Sequence, residues 1–418
     1  MSIKAYEFKK VITSPIIIAL LLMFIGFNAF VMYNNSYFNK ELKVLNNIVC
    51  KLGYEINDKM LEDFSRYYNE KLNLMKEITS GKGMKSYDTA AEFFKAEVKR
   101  ELYSKKENEF FKEVGLIESY YNIAKNIDED YNKINIRNAS EGQIEMYRLK
   151  GEAAATVRRQ YEKLSLRFDE LKEKGEHKNL FFIGRAYRMH TMLFKTLFRK
   201  LLFEIMILTV LVTAFLLNYE FENKTYFLTY STRRGRRLNL DKFYIALFVS
   251  VLATTVILGI SLGIYFLIYD YSGLWKVPIS SGFNWEYNFP YISWWNVSFA
   301  GYLFIAIAII YLCEMLFAGI TYIISYFIRN SYYVFCTFGV IFGLALILPG
   351  IVPTYSRLIF VSRFTPFMLS MNPHFWLMEK GALALFKNYE LITIGSWGLL
   401  LLVSCSICTK SFKKQNLY

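Results

Sequence analysis

Six apolar segments determine what this chain can fold into, because each is long enough to cross a bilayer as a helix. They cover residues 14–33, 201–218, 244–268, 297–327, 332–349 and 391–409. Backbone polar groups in lipid must be satisfied within the spanning segment, so runs of this length are helices. Since 54% of the residues are hydrophobic and 21% are charged, charged and apolar segments must occupy separate regions. We therefore expect an all-α membrane protein with six transmembrane helices.

Basic residues give the orientation of these helices. The loop of residues 219–242 holds a cluster of positive side chains, namely Arg233, Arg234, Arg236, Arg237 and Lys242. Short loops of this kind stay in the cytoplasm, and residues 1–13 and 410–418 are also basic. The net charge of +14 lies mainly in these three segments, which is typical of membrane topology and not of nucleic-acid binding. We expect a bacterial-type plasma-membrane protein with both termini in the cytoplasm and no nucleic-acid partner.

A large charged block, residues 34–200, separates the first span from the second. It contains no proline and its charges nearly balance. Apolar residues recur in it at helical spacing, so we expect an all-helical domain of packed hairpins. Long domains translocate largely regardless of their charge, and the short basic loop therefore places this block outside the cell. The chain is thereby divided into residues 1–33, 34–200 and 201–418.

Local patterns place individual helices in this block. One helix is predicted to begin at a cap, Ser86, and to continue through Leu102. A longer one is predicted from Ser140, where Ser140-x-x-Gln143 has the form of a capping box, to a C-terminal glycine, Gly175. The final helix of the block is expected to run directly into the second span.

Glu314 lies near the middle of the fourth span. An ionised residue at that depth costs about 2.5–3.5 kcal/mol on insertion scales, so it needs a compensating role. One hypothesis gives it a function in a transport path or at a subunit interface. The other is a protonated acid that hydrogen-bonds to a neighbouring helix, for example through Tyr311 or Tyr322.

Residues 353–389 are apolar but are interrupted by Pro353, Pro366 and Pro373. A seventh full span here would move the basic tail to the outside. Short re-entrant or outer-surface helices avoid this, and they can lie at membrane depth when they are buried against protein.

Motifs for catalysis and metal binding are scarce. The three histidines form no H-E-x-x-H motif, and residues 81–86 lack the spacing of a phosphate-binding loop. Cys405 and Cys408 form a C-x-x-C in an apolar run without a second pair. We expect no metal site, no cofactor bound by this chain and no enzymatic activity of its own.

Two segments carry a family resemblance. The N-terminal segment is basic and amphipathic, as in a helix that lies on the membrane surface, and contains Tyr6, Glu7, Phe8 and Lys9. The loop has an acid, a hydroxyl residue, a basic cluster and a final lysine in that order: Glu222, Thr225, Arg233 or Arg236, and Lys242. This order resembles the elbow helix and the coupling helix of type-2 ABC exporters, the six-span permease family of drug, peptide and lipid-glycan export. Lys224 stands where the family usually has glycine.

The resemblance implies the permease subunit of an ATP-driven exporter. ATP and magnesium would bind to two separate cytoplasmic ATPase subunits, and a second permease copy or a sister permease would complete the transporter in the bilayer. The residues implied in ATPase contact are Glu222, Thr225, Tyr226, Arg233 and Arg236, and Glu314 is implied in the transport path or the permease interface. A large outer domain and aromatic outer loops favour a peptide or amphiphile, such as an antimicrobial peptide, as the substrate.

Two other classes of function are compatible with parts of this pattern. A membrane sensor or receptor also places a helical ectodomain between two spans, but it has no need of four further spans. A multispan transferase needs an acid–base pair, and Glu314 is the only deep intramembrane acid expected. A neighbouring ATPase gene would favour export, and a neighbouring response regulator would favour sensing.

Overall fold

A computed structural model of the chain describes residues 3–82, 87–96, 100–183, 190–231, 235–286, 289–379 and 385–414. These residues are almost entirely helical, with one short antiparallel pair, β1 (Trp285–Glu286) and β2 (Phe289–Pro290). The earlier helices are α1 (Ile3–Ile12), α2 (Pro15–Asn34), α3 (Asn39–Leu52), α4 (Asp58–Ser80), α5 (Ala90–Lys95), α6 (Lys105–Lys133), α7 (Ile136–Met146) and α8 (Gly151–Glu173). The later ones are α9 (Phe198–Glu222), α10 (Tyr226–Tyr230), α11 (Gly235–Ile268), α12 (Phe299–Phe327), α13 (Ser331–Ile351), α14 (Leu358–Val361), α15 (Pro366–Met371) and α16 (Tyr389–Lys414).

Six helices among the described residues are long and apolar enough to cross a membrane. They are Pro15–Asn34, Thr191–Glu222, Arg237–Ile268, Phe299–Phe327, Ser331–Ile351 and Tyr389–Lys414. The second consists of a π-helical stretch, Thr191–Leu197, that continues into α9. The prediction of six helices long and apolar enough to span a membrane is confirmed, and the second is longer at both ends than residues 201–218.

The helix α9 lies at the centre of the bundle. It packs against α2, α11, α12 and α13, and 78% of the residues in its apolar stretch of 18 residues are buried. In the corresponding stretches of α2, α13 and α16 only 17% of the residues are buried. Large exposed apolar surfaces of this kind mark contact with membrane or with other proteins.

The block between α2 and α9 is helical, as predicted. The helix α4 packs against α6, and α7 packs against α8. The helix α6 begins at a capping box, in which the Ser104 hydroxyl accepts from the Glu107 amide and the Glu107 carboxylate accepts from the Ser104 amide at 2.6 Å. The fully buried side chains of this block include Phe64, Phe111 and Leu164.

The single helix predicted to begin at Ser140 is wrong, because the chain forms two helices there. A turn separates α7 from α8, and Arg148 and Gly151 adopt positive φ angles of 52° and 53° in it. Ser140 lies inside α7, whose N-terminal cap is Asn135. The expected left-handed glycine is present, since Gly175 has a φ of 67°.

Two further boundary predictions need correction. The helix predicted through Leu102 ends at Lys95 and is capped by Thr89, while Ser86 lies outside the described residues. Residues 180–183 have no regular secondary structure, so α8 does not run directly into the second span, and residues 184–189 lie outside the described residues. The described part of the second span contains the π-helical stretch Thr191–Leu197 near its start.

The helical domain rests on loops at one end of the bundle, which we call the domain end. The Lys150 amide donates to the Thr354 carbonyl at 3.2 Å, and the Gly282 amide donates to the His177 carbonyl at 2.9 Å. A Cβ atom on Gly282 would lie 2.9 Å from that carbonyl oxygen, so the close approach requires glycine. The domain and the loops after α11 and α13 are thus packed together.

The segment predicted as short helices, residues 353–389, is built that way where it is described. It contains α14, α15 and a 3₁₀ turn, Pro373–Phe375. The Trp294 amide donates to the Leu377 carbonyl at 2.9 Å, which joins this segment to the loop before α12.

Candidate functional site at the basic end

The opposite end of the bundle, which we call the basic end, gathers the elements that carry the resemblance. It contains α1, α10, the first turns of α11, the turn between α12 and α13, and the end of α16. The ring of Tyr230 on α10 lies 5.2 Å from that of Phe412 on α16. The Arg329 guanidinium in the α12–α13 turn lies 4.5 Å from the ring of Phe221 at the end of α9. Segments far apart in sequence therefore form one packed surface.

A buried network of two acids and two bases ties α1 to α9 and α11. Lys242 donates to the Glu220 carboxylate and, at 2.7 Å, to the Leu216 carbonyl. Lys10 donates to Glu7 at 2.8 Å and to Glu220 at 3.4 Å. The four charges balance, as buried charges must, because desolvation of an unpaired ion is unfavourable.

The surroundings of Lys10 favour its charged form. Burial by itself disfavours the ammonium, but the hydrogen bond to Glu7 and the carboxylate of Glu220 raise the pKa of Lys10 above its ordinary value. Its ammonium also lies 4.0 Å from the ring centroid of Tyr219, a cation–π arrangement. The helix α1 is therefore held by a specific buried contact and not only by its apolar side.

The four residues predicted in the elbow helix differ in their surroundings. Tyr6 and Lys9 are exposed, while Phe8 packs against Phe248 of α11 with 5.8 Å between ring centroids. Glu7 is the one of the four that is buried.

One side of the helix α10 is apolar and lies exposed on the surface of the protein. Phe227 is 53% exposed and Leu228 is 78% exposed. On the other side of the helix Tyr226 stacks on Phe221 at 5.2 Å, and Tyr230 is buried with its hydroxyl 3.4 Å from Glu220. The short helix is therefore anchored on one side and exposed on the other.

The other predicted contact residues lie on either side of α10. Thr225, directly before its first residue, is exposed. Lys224, in the place where the family usually has glycine, has a φ of 56°, the left-handed conformation that glycine adopts most readily. Arg233 lies outside the described residues, and Arg236 lies in the first turn of α11 without a described side chain.

Glu222 is exposed, and its carboxylate accepts a hydrogen bond of 2.5 Å from the amide of Ser331. Ser331 is the first residue of α13, where a negative charge is favoured by the helix dipole. Asn330 caps the same helix end. Glu222 thus links the end of α9 to the start of α13, a contact that the sequence did not indicate.

Glu314 belongs to α12 and is fully buried within the bundle, where α12 packs against α11. The buried Thr254 faces it, and neither carboxylate oxygen has a hydrogen bond of good geometry from a described residue. The partners suggested for it are wrong: the Tyr311 hydroxyl pairs with Thr255, and the Tyr322 hydroxyl pairs with Asn239 and Thr409.

A second intramembrane acid, Glu204, was missed. It is buried on α9 and accepts a hydrogen bond of 2.7 Å from Asn28 of α2, which lies 3.4 Å from Ser261 of α11. The expectation that Glu314 is the only deep acid is therefore wrong. The sequence held a signal for this acid, because Glu204 falls inside an apolar run. In the structure, the helix extends back to the π-helical stretch that includes Thr191, and Glu204 therefore lies well inside it.

No protein-family model, curated protein or solved structure matches the chain. The likeness to type-2 ABC exporters therefore rests on its own residues and topology, and it stays a prediction.

Proposed function

We propose that this chain is the permease subunit of an ATP-driven exporter and that α10 is its docking helix for a cytoplasmic ATPase. The observation that carries the proposal is the exposed edge of Phe227 and Leu228 on a helix whose opposite side is anchored by Tyr226 and Tyr230. A short amphipathic helix of this kind fits a hydrophobic groove on a partner.

The surroundings of α10 support a role in transmitting movement. A push on α10 reaches α9 through Tyr230 and Glu220, and it reaches α1 and α11 through Lys10 and Lys242. Glu222 adds a direct link to α13. Movement of one docking helix would therefore act on four other helices together.

The other partners follow from the same proposal. Two ATPase subunits would hold ATP and magnesium, and a second permease copy or a sister permease would share the bilayer. The exposed helix α13 offers a surface for that partner, because its Gly339 and Gly343 have no neighbouring atom within 4 Å of an added Cβ. Small residues four positions apart allow close approach of two membrane helices.

For the substrate we propose a peptide or amphiphile, such as an antimicrobial peptide, that leaves the cell or the membrane. The support is the size of the helical domain and its packing against aromatic outer loops. Tyr120 stacks on Phe283 at 5.9 Å, and Tyr131 meets Trp285 at 6.2 Å.

The test is assembly with an ATPase encoded beside this chain. Phe227→Ala and Leu228→Ala should weaken co-purification and lower permease-stimulated ATP hydrolysis, since anchors of a groove contact are worth about 2 kcal/mol or more when truncated. Leu166→Ala is the matched control, because Leu166 is 72% exposed on the helical domain. If both α10 variants assemble and stimulate hydrolysis like wild type, the docking role is excluded.

A further inference from the structure

The turn between α7 and α8, residues 147–150, attaches the helical domain to the segment that follows α13. Besides the hydrogen bond from the Lys150 amide to the Thr354 carbonyl, Gly151 packs against the next residue of that segment. A Cβ atom on Gly151 would lie 3.7 Å from the Tyr355 carbonyl oxygen. Tyr147 is also close enough to Arg363 for the two side chains to interact electrostatically. The turn is therefore fixed to the chain on both sides of α14.

The end of α14 lies beside a membrane span. The Trp397 indole donates to the Phe364 carbonyl at 2.8 Å, and the Tyr389 hydroxyl donates to the Arg363 carbonyl at 2.7 Å. Trp397 is eight residues from the start of α16, which is about 12 Å along the helix. The residues that follow α14 therefore lie alongside the first turns of α16, at the level where that span enters the bilayer.

The exposed side of α14 is apolar. Tyr355, Leu358 and Val361 are each more than half exposed, as are Ile347 and Ile351 at the end of α13. Exposed apolar surface of this extent marks contact with membrane or protein. Because the surface of α13 belongs to a span, the exposed side of α14 continues a surface that lipid covers.

The turn between α7 and α8 adds residues suited to the headgroup layer. Met146 is 68% exposed, and Tyr147 beside it is 37% exposed. Arg148 and Lys150 are exposed and have no ion pair with any residue that the structure describes. Tyrosine rings and long basic side chains, with apolar stems and polar tips, are typical of membrane–water interfaces.

The charge of the turn favours acidic lipids. Glu152 is paired with Arg357, whose Nε atom lies 3.2 Å from its carboxylate. Arg148 and Lys150 are then opposed only by Glu145 among residues 145–151. An excess of basic side chains near a bilayer is attracted to anionic headgroups.

We propose that the turn between α7 and α8, together with Met146 and Tyr147, inserts into the headgroup layer of the bilayer and binds acidic phospholipids there. The proposal depends on the membrane spans and not on export or on an ATPase. Lipid is the expected partner because the turn is bonded to a segment whose exposed apolar side continues that of a span. The helical domain would then be held by the bilayer as well as by the loops.

The experiment measures lipid contact with a fluorophore in the full-length chain. Met146→Cys, Leu358→Cys and Leu166→Cys are made in a variant without the five native cysteines. Each is labelled with an environment-sensitive dye and reconstituted in phosphatidylcholine vesicles that carry a nitroxide near the top of the acyl chain in both leaflets. The labels at positions 146 and 358 should show blue-shifted emission and strong quenching, because interfacial elements lie about 5–10 Å into the headgroup and acyl boundary.

Leu166 is the matched control. It is 72% exposed on the same domain, but it lies about 22 Å along α8 from Gly151 and on the side opposite to the buried Leu164 and Phe168. Its label should show neither change. Absence of quenching at position 146, or equal quenching at 146 and 166, would overturn the proposal. A blue shift at position 146 without quenching would indicate a protein partner and would also overturn it.

A second measurement tests the headgroup. Addition of phosphatidylglycerol to the vesicles should increase quenching at position 146, and high salt should reverse the increase, since surface charges are screened. Arg148→Gln combined with Lys150→Gln should abolish the increase while leaving quenching at position 358 unchanged. No effect of phosphatidylglycerol, or the same effect in this double variant, would show that the turn does not bind acidic headgroups.

Discussion

Lys242 is completely buried and donates to the carboxylate of Glu220, so that the start of α11 is bonded to the end of α9 inside the basic end. Glu7 lies 3.9 Å from the same ammonium. A single buried residue on α11 therefore contacts charges from two other helices, and its removal should weaken the packing of all three helices.

Removal of either member of this pair should destabilise the protein. Lys242→Met and Glu220→Gln should each lower the free energy of unfolding by about 3–5 kcal/mol, because each leaves an uncompensated buried charge. The double variant should lose less than the sum of the two. Unfolding in mixed detergent micelles measures these differences.

The control for this pair is an exposed ion pair between α1 and α11. Lys4 and Asp241 lie 3.6 Å apart, with Lys4 64% exposed. Lys4→Met should cost less than about 1 kcal/mol. Equal losses for Lys4→Met and Lys242→Met would contradict the importance of burial.

The proposed orientation is tested by labelling in intact cells. Single cysteines replace Lys105 and Arg237 in a variant without its five native cysteines, because the exposed Cys50 would itself react. An impermeant thiol reagent should label position 105 and not 237, since short basic loops remain inside. The reverse pattern would invert the topology and remove the basis for an ATPase contact.

The two intramembrane acids should differ in their effects. Glu314→Gln should fold and assemble normally but impair transport, because its carboxylate has no well-formed hydrogen bond from a described residue and is available for a functional role. Glu204→Gln should preserve transport, because Glu204 is already bonded to Asn28 in a contact that joins two helices. Substrate export from vesicles or cells measures both. Unchanged export by Glu314→Gln would show that no charge is needed there.

The helical domain should lose stability in mild acid because of His177. Burial lowers the pKa of His177 below its ordinary value of 6.5, even though Asp128 lies 3.0 Å from its Nε2 atom. The unfolded chain therefore binds more protons than the folded one as the pH falls below about 6.5, and stability decreases in that window. Thermal unfolding between pH 7.5 and pH 5 should show a smaller decrease for His177→Asn. Identical pH profiles for the two proteins would exclude this cause.

Self-association should depend on the exposed glycines of α13. Gly343→Leu should weaken dimerisation in detergent about tenfold, because its side chain would block close approach of a second helix. Gly395→Leu on α16 is the control, since Gly395 also has open space around it. Light scattering over a range of protein concentrations distinguishes the two. Equal association of both variants would place the interface elsewhere.

The spans could be predicted from the sequence because a window of apolar residues is a direct consequence of the lipid environment. The same pattern missed the true start of the second span. Lys195 and Arg199 lie in the helical residues before Leu201, and composition assigned them to the domain. The depth of Glu204 was misjudged for the same reason.

Other features depend on contacts that periodicity does not report. The break between α7 and α8 has two left-handed residues, Arg148, a type that gives no turn signal, and Gly151, whose turn signal was outweighed by the helical periodicity around it. The network of Glu7, Lys10, Glu220 and Lys242 joins positions more than two hundred residues apart. Their charges were visible in the sequence, but only the packing of α1 against α9 and α11 brings them together.

The attachment of the helical domain has a mechanical consequence. Its hydrogen bonds to the loops after α11 and α13, Gly282 to His177 and Lys150 to Thr354, hold the helix ends on that side at fixed separations. Helices fixed at one end move as levers about that end, and their displacement grows along their length. A helix of about 30 residues is about 45 Å long, so a tilt of a few degrees at the domain end becomes a shift of several ångströms where α10 lies.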